Sequence, residues 1–184
     1  RLNGYPVAIL SNDSMWLGGA QDVPGAEKML KFIDLADTFH IPIIYMVDVP
    51  GYMIGPDAEK TGTIRKACRA HAAMHQATVP WVTVLIRRCF GVAGAGQGPY
   101  NHLNLRYAWP SGRWGSLPLA GGAMAEFRRE IAASPDPEAK RREIEEQLKK
   151  RNSPIRTAAE FGLMGVEDII DPRDTRPILC EFVK

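Results

Sequence analysis

The chain has 184 residues, a formal net charge of +2 and three widely spaced cysteines. This length fits one ordinary domain, which can bury a core without disulfides, and the balanced charge gives no reason to expect nucleic acid or an anionic membrane as a partner. An odd number of distant cysteines predicts reduced thiols and a cytoplasmic protein. No apolar run approaches the roughly 20 residues of a membrane-spanning helix. Because the sequence begins at Arg1 rather than methionine, we expect a piece of a longer protein.

The first half of the chain alternates β-prone runs with helical patterns. Asp22 is a plausible N-cap with Pro24 just inside its helix, which stops before His40. Met15 and the residues up to 19 predict a loop or a short strand. Strands are predicted at residues 6–10, 43–48 and about 81–88, and a second helix at about 61–77. This order predicts a parallel sheet with right-handed crossovers.

The second half of the chain predicts shorter elements. Glu143 and Glu146 are expected to pair with basic residues three or four positions on, along a charged helix that faces solvent or a partner. A short helix opens at Pro154 and ends at Gly162 or Gly165. The other predicted elements are strands at 103–109, 113–117 and 166–170, helices at about 120–132 and 138–151, and a terminal segment at 172–184.

Two glycine-bearing loops follow neighbouring predicted strands. Pro50-Gly51-Tyr52 follows the second strand, and Phe90-Gly91-Val92-Ala93-Gly94-Ala95 follows the third. Ligands of open α/β sheets bind outside the carboxyl ends of the strands, and small residues leave main-chain N–H groups open to a ligand. Two convergent N–H groups would form an oxyanion hole. Each loop alone could serve only tight packing, but the pair favours a functional site.

Other catalytic patterns are weak or missing. The sequence contains no GxSxG elbow and no Ser-His-Asp set recognisable by motif, and the 91–96 glycines fit neither a dinucleotide fingerprint nor a P-loop. His71 and His75 have metal-ligand spacing, but no third ligand suggests itself and we predict no metal site. Asp48 could act as a base or anchor the loop that follows it, and His40 could cap the last carbonyls of its helix.

Several longer motifs resemble one family. They are MWLGGAQDVPGAEKMLKFIDLADTFHIPIIYMVDVPGYMIGPDAEKTGTIRKACR, WVTVLIRRCFGVAGAG, the Ala108-Trp109-Pro110 triplet and RNSPIRTAAEFGLMGVEDIIDPRDTR. Together they cover nearly the whole chain. They resemble the C-terminal half of biotin-dependent acyl-CoA carboxyltransferases, the β subunits of acetyl-, propionyl- and methylcrotonyl-CoA carboxylases.

The resemblance implies a fold and a reaction. The expected fold is the α/β crotonase (ClpP/crotonase-like) fold, a parallel ββα superhelix with C-terminal helices. Residues 1–184 are expected to be the biotin-side domain, and the N-terminal acyl-CoA domain is absent from this chain. The implied reaction moves CO2 from carboxybiotin to the α-carbon of an acyl-CoA as an enolate, and the released biotin nitrogen can accept the α-proton. A eukaryotic homologue would lie in the mitochondrial matrix.

The resemblance also implies site residues. The family's Phe-Gly-Gly-Ala oxyanion hole falls on Phe90, Gly91, Val92 and Ala93. The N–H groups of Val92 and Ala93 would face the ureido oxygen of biotin, with Gly94 and Ala95 beside them. Gly51 and Tyr52 would lie next to biotin or the acyl group. Ala95 falls at a position that often helps select the acyl group. Three features depart from the family pattern: Val92 replaces the second glycine, the segment 96–105 is about one residue shorter, and Leu117-Pro118-Leu119 replaces a Met-Gly pair at a helix entrance.

The resemblance implies partners and leaves alternatives open. The partners are acyl-CoA, a biotin carboxyl carrier protein, a biotin carboxylase and further copies of the chain in a homo-oligomer, with residues 117–125 as a candidate interface. The isolated chain is expected to have little or no activity. One alternative is the carboxyltransferase subunit of a biotin-dependent decarboxylase or a transcarboxylase. Another is a non-catalytic module that docks the carrier protein.

Overall fold

Six parallel strands form the central sheet in a computed structural model of the protein, which describes residues 1–159 and 165–184. The strands are β1 (Ala8–Ser11), β2 (Ile43–Val49), β3 (Trp81–Phe90), β4 (Asn104–Ala108), β5 (Arg113–Gly115) and β6 (Asp168–Ile169). Their order is β1-β2-β3-β4-β6, and β5 pairs with the end of β3 beyond β4. Every pair is parallel, as predicted. The carboxyl ends of β2 and β3 therefore lie side by side.

Helices connect the strands and follow them. They are α1 (Val23–Thr38), α2 (Pro56–Thr61), α3 (Thr63–Gln76), α4 (Gly91–Ala95), α5 (Leu119–Glu126), α6 (Arg128–Ala133), α7 (Pro137–Arg151), α8 (Pro154–Ala159) and α9 (Thr175–Phe182). Asp22 caps α1 as predicted, because its Oδ1 accepts a hydrogen bond from Gly25 N at 2.8 Å, and Pro24 stands in the first turn. Among the described residues, no helix combines the length and apolar character that crossing a bilayer requires.

Helices cover both faces of the sheet. On one face, α1 and α3 pack their buried residues, such as Ile33 and Met74, against Ile43 and Trp81. On the other face, Leu179 of α9 packs against Ile44 and the neighbouring valines of β3. The β2 strand is thus buried on both sides, which explains its run of five largely apolar residues before Asp48. A separate small core joins α5, α6 and α7.

Several predicted elements differ in the structure. The residues before Gly62 form the separate helix α2, and the predicted 120–132 helix is two helices that meet at Phe127. Residues 15–19, predicted as a loop or a short strand, contain a 3₁₀ turn at Leu17–Gly19. Residues 91–95, expected as a loop, form a short helix, and the terminal segment contains α9. Gly162, one of the two expected helix ends, lies outside the described residues.

The charged helix α7 shows one predicted ion pair and lacks the other. Glu146 lies 3.6 Å from Lys149, three positions on, as expected. The prediction for Glu143 was wrong, because positions 146 and 147 are Glu and Gln, and Glu143 instead pairs backwards with Lys140 at 3.3 Å. Ile144 and Leu148 face the small core. The remaining surface of α7 is mostly exposed.

Candidate functional site

The two predicted loops leave the carboxyl ends of adjacent strands. Gly51 and Tyr52 follow β2, while Gly91 and Val92 open α4 directly after β3. Gly51 has φ +146° and Gly91 has φ +61°, conformations that favour glycine. The sheet therefore brings the two predicted sets of site residues to one edge of the molecule.

The first loop is anchored to the segment that follows β1. Gln21 N donates to Gly51 O at 3.0 Å, and Met53 N donates to Gln21 O at 2.9 Å. These bonds form an isolated parallel bridge between Gln21 and Tyr52. The main chain around Gly51 is therefore held between β2 and the Leu17–Gly19 turn.

The second loop presents unpaired main-chain donors. Val92 and Ala93 lie in the first turn of α4, where N–H groups have no intrahelical acceptor. Within the described ranges 1–159 and 165–184, neither N–H group donates to a main-chain or side-chain acceptor. The Val92 side chain is 60% exposed, whereas Phe90 and Ala93 are buried. Both amides are therefore donors without an acceptor among the described residues.

Buried contacts with β3 hold α4 and the residues after it in place. A Cβ on Gly94 would lie 2.7 Å from the carbonyl carbon of Cys89, so only glycine fits there. The Cys89 thiol lies 3.4 Å from Gly94 O, and burial raises its pKa to about 12. The fully buried Gln97 accepts a 2.6 Å hydrogen bond from Thr83 at its carbonyl oxygen. Cys89 is therefore a protonated packing residue and not a nucleophile.

Asp48 anchors the strand ends and is unsuited to act as a base. Its carboxylate accepts hydrogen bonds from Arg87 Nη2 at 2.7 Å, Arg88 Nε at 2.8 Å and the Arg88 main chain at 3.1 Å. Burial alone would raise the pKa of Asp48, but the bonds from Arg88 and Arg87 lower it to about 2. Arg88 also donates to Gly18 O at 2.6 Å. The anchoring interpretation of Asp48 is thus the better one.

These contacts accompany a bulge in β3. Val47 pairs with Leu85 but Val49 pairs with Cys89, so β3 carries extra residues between these positions. The bulge turns Arg87 and Arg88 onto Asp48 and leads the chain into Phe90. The sequence offered no signal for it beyond two consecutive arginines inside a β-prone run.

The two histidines of α3 do not form a metal pair. His71 Nε2 lies 2.8 Å from the Tyr52 hydroxyl, while His75 stacks on Tyr100 with ring centroids 5.9 Å apart. In the described part of the chain, no group of three or more histidine, cysteine or acidic side chains could hold a metal ion. His40 is exposed, and its main chain, not its ring, bonds the helix end through Asp37 O.

A cavity of about 590 Å³ opens beside Gln21, the residue that is bridged to Tyr52 of the first loop. It lies between β1 and the start of α1, with apolar walls from Ile9, Trp16, Met29, Phe32 and Tyr45. None of the residues 90–95 lines it. The cavity and the amides of α4 are therefore separate features of the same sheet edge.

Comparisons with known proteins agree on one family. The model of the carboxyl transferase domain matches residues 1–184. The methylmalonyl-CoA carboxyltransferase 12S subunit of Propionibacterium freudenreichii subsp. shermanii is 37% identical over 96% of this chain and 33% of its own length. The propionyl-CoA carboxylase carboxyltransferase subunit of Haloferax mediterranei is 36% identical over 96% of the chain and 34% of its own length.

A solved structure gives the same result. The transcarboxylase 12S crystal structure, a hexamer with methylmalonyl-coenzyme A bound, has a TM-score of 0.88 and 34% identity over 99% of this chain and 35% of that one. The chain therefore spans about a third of the length of the relatives it matches.

Proposed function

Because the chain belongs to the carboxyl transferase domain family and has the crotonase fold predicted for it, we propose that it is the C-terminal, biotin-side part of an acyl-CoA carboxyltransferase. The observation that carries this proposal is the pair of unpaired N–H groups at Val92 and Ala93, beside the Gly51 loop. The acyl-CoA would be bound mainly by a part of the protein outside this chain.

The donor set of α4 fits the ureido oxygen of biotin. A urea carbonyl is neutral in the resting state and gains negative charge as its carboxyl group departs, so it calls for hydrogen-bond donors rather than a cation. Two fixed N–H groups beside small residues meet that need, and such donors contribute roughly 3 to 4 kcal/mol each to transition states of this kind. Carboxybiotin, carried on a partner protein, would supply the carboxyl group that the acyl-CoA enolate receives.

The side chains near the two loops hold the main chain in place, and neither Asp48 nor Tyr52 is suited to abstract a proton. The pKa of Asp48 is about 2 and its oxygens are engaged by Arg87 and Arg88. Burial raises the pKa of Tyr52 above its ordinary range, which makes it a donor or acceptor but not an anion at neutral pH. In this proposal the chain contributes main-chain donors, the packing of the loops and exclusion of water.

The departures from the family pattern leave these donors in place. Pro118 is the N-cap of α5 in an extended conformation, and its carbonyl accepts from Gly122 N at 3.1 Å, so α5 begins without the missing N–H. Val92 keeps its amide and directs its side chain outward. Both observations favour a catalytic part over a non-catalytic docking module.

A transcarboxylase is the second candidate. The 12S relative, a methylmalonyl-CoA carboxyltransferase, is 37% identical, and the propionyl-CoA carboxylase relative is 36% identical. This difference is too small to separate the two reactions. By analogy with the hexameric relative, we propose that the protein acts as an oligomer, with residues 117–125 at an interface and biotin carrier and biotin carboxylase partners.

The proposal is tested by completing the protein. In a hybrid transferase, this chain would replace its aligned region in the Propionibacterium 12S relative. A radiolabelled carboxyl donor then measures carboxyl transfer between biotin and acyl-CoA by the hybrid. We expect the hybrid to transfer and the 184-residue chain alone to show little or no turnover. Robust turnover by the chain alone, or no turnover by a hybrid that folds and binds acyl-CoA, would contradict the proposal.

A further inference from the structure

The His71 ring contacts the first loop through its Nε2 atom. Its Nε2 lies 2.8 Å from the Tyr52 hydroxyl, and the two ring centroids are 6.1 Å apart. Tyr52 directly follows Gly51 and is bridged to Gln21. The imidazole of α3 therefore bonds the side chain at the tip of the loop that follows β2.

The same end of the ring also packs against the end of α4. A Cβ on Gly96 would lie 2.1 Å from His71 Nε2, so the imidazole packs directly against the Gly96 main chain. Gly96 N in turn donates to Val92 O at 3.1 Å, which closes the last turn of α4. His71 thus makes a hydrogen bond to Tyr52 and packs against Gly96, whose N–H group is bonded to Val92.

One turn later, His75 attaches the following segment to the same helix. Its ring stacks on Tyr100, and its carbonyl accepts a 2.8 Å hydrogen bond from Asn101 Nδ2. The Tyr100 hydroxyl donates to Ala95 O at 3.2 Å. Two histidines on one face of α3 therefore hold the chain that leaves α4 at two successive points.

We propose that His71 is a positioning residue that couples the two loops, so that the placement of the Val92 and Ala93 amides relative to the Gly51 loop depends on its neutral imidazole. The inference rests on the proposed function for its consequence in catalysis. By this proposal, the spacing of His71 and His75 on α3 serves to position the loops and not to bind a metal.

The coupling is expected to depend on pH. Burial and the neighbouring His75 lower the pKa of His71. The titratable groups that face it are Tyr52 from the first loop and His75 on α3 itself, and the segment after α4 contributes the Gly96 main chain. Because the unfolded chain takes up this proton near pH 6.5 and the folded chain only at lower pH, stability from this group falls as the pH drops below about 6.5.

The first experiment measures transfer by the hybrid enzyme with Tyr52→Phe, His71→Leu, both together, and His71→Gln. A misplaced reacting group costs rate with little change in substrate binding, so we expect kcat to fall by about tenfold in either single variant with KM for acyl-CoA unchanged. The double variant should lose no more than either single one, because the two residues act as a pair. His71→Gln, which retains a polar nitrogen, should recover most of the rate.

Exposed residues of the same types provide matched controls. His40→Asn and Tyr5→Phe alter exposed side chains and should leave the rate unchanged, since asparagine tolerates the positive φ of His40. Additive losses in the double variant, or a His71→Leu enzyme as fast as the wild type, would overturn the proposal.

The second experiment separates this inference from the proposed function. Amide NMR spectra of the 184-residue chain are recorded from pH 7.5 to 5 for the wild type and His71→Leu. We expect the Val92 and Ala93 amide signals to titrate together with the His71 ring signals in the wild type and to become pH-independent in the variant. Amide signals that ignore both the pH and the substitution would refute the coupling, whatever the hybrid transferase does.

Discussion

Replacing Val92 by proline is expected to lower carboxyl transfer by the hybrid enzyme by about a hundredfold, because it deletes one of two amide donors. At this position the substitution removes no hydrogen bond of the fold. Val92 lies in the first turn of α4, where proline is tolerated and no N–H bond is lost, and its side chain is 60% exposed. The ratio of kcat values for variant and wild type is the measurement.

Two substitutions at the same position serve as controls. Val92→Ala and Val92→Gly keep the N–H group and should retain transfer within a few fold. If the proline variant is as fast as the alanine variant, the Val92 amide takes no part in the reaction. If all three variants are equally slow, the exposed side chain and not the main chain is the functional group.

Replacing Asp48 by alanine is expected to destabilise the protein by about 3 kcal/mol, because two arginines lose their shared, nearly buried acceptor. The Asp48 side chain is 12% exposed and the Arg88 side chain 28%. Chemical denaturation of the 184-residue chain measures the loss. Asp57→Ala, at a fully exposed carboxylate near Lys60, is the matched control and should leave stability nearly unchanged.

The same carboxylate predicts how stability responds to acid. Its pKa is about 2 in the folded chain and about 4 in the unfolded chain. The ionised form therefore stabilises the fold above about pH 4, and this stabilisation is lost as the pH falls from about 4 to about 2. Asp48→Asn should remove this part of the acid dependence, and an unchanged acid profile would contradict the assigned ion pairs.

Hydrophobic and capping patterns predicted most of the sheet and the first helix. The β2 run from Ile43 is apolar because both faces are buried, and Asp22 with Pro24 marked the start of α1. Boundaries failed where tertiary contacts decide them. The separation of α2 from α3 depends on Gly62 in a left-handed conformation, and the break at Phe127 depends on the small core that α5, α6 and α7 share.

The sequence predicted where the main chain of the candidate site lies, but it did not predict which side chains pack around it. Glycines after two adjacent strands indicated where Val92 and Ala93 would lie, since parallel strands end at one edge. The ring contacts of His71 were not predictable, because its partners Tyr52 and Gly96 are distant in sequence and meet only once β2, β3 and α3 have packed. The spacing of the histidines indicated one helix face, but not what that face touches.

Titration of the 184-residue chain with free biotin, followed by amide NMR, tests the central claim most directly. If the main chain of α4 binds the ureido oxygen, the Val92 and Ala93 N–H signals should move downfield and saturate together. Shifts confined to the cavity lined by Trp16 and Phe32, or no shifts at millimolar biotin, would contradict the account.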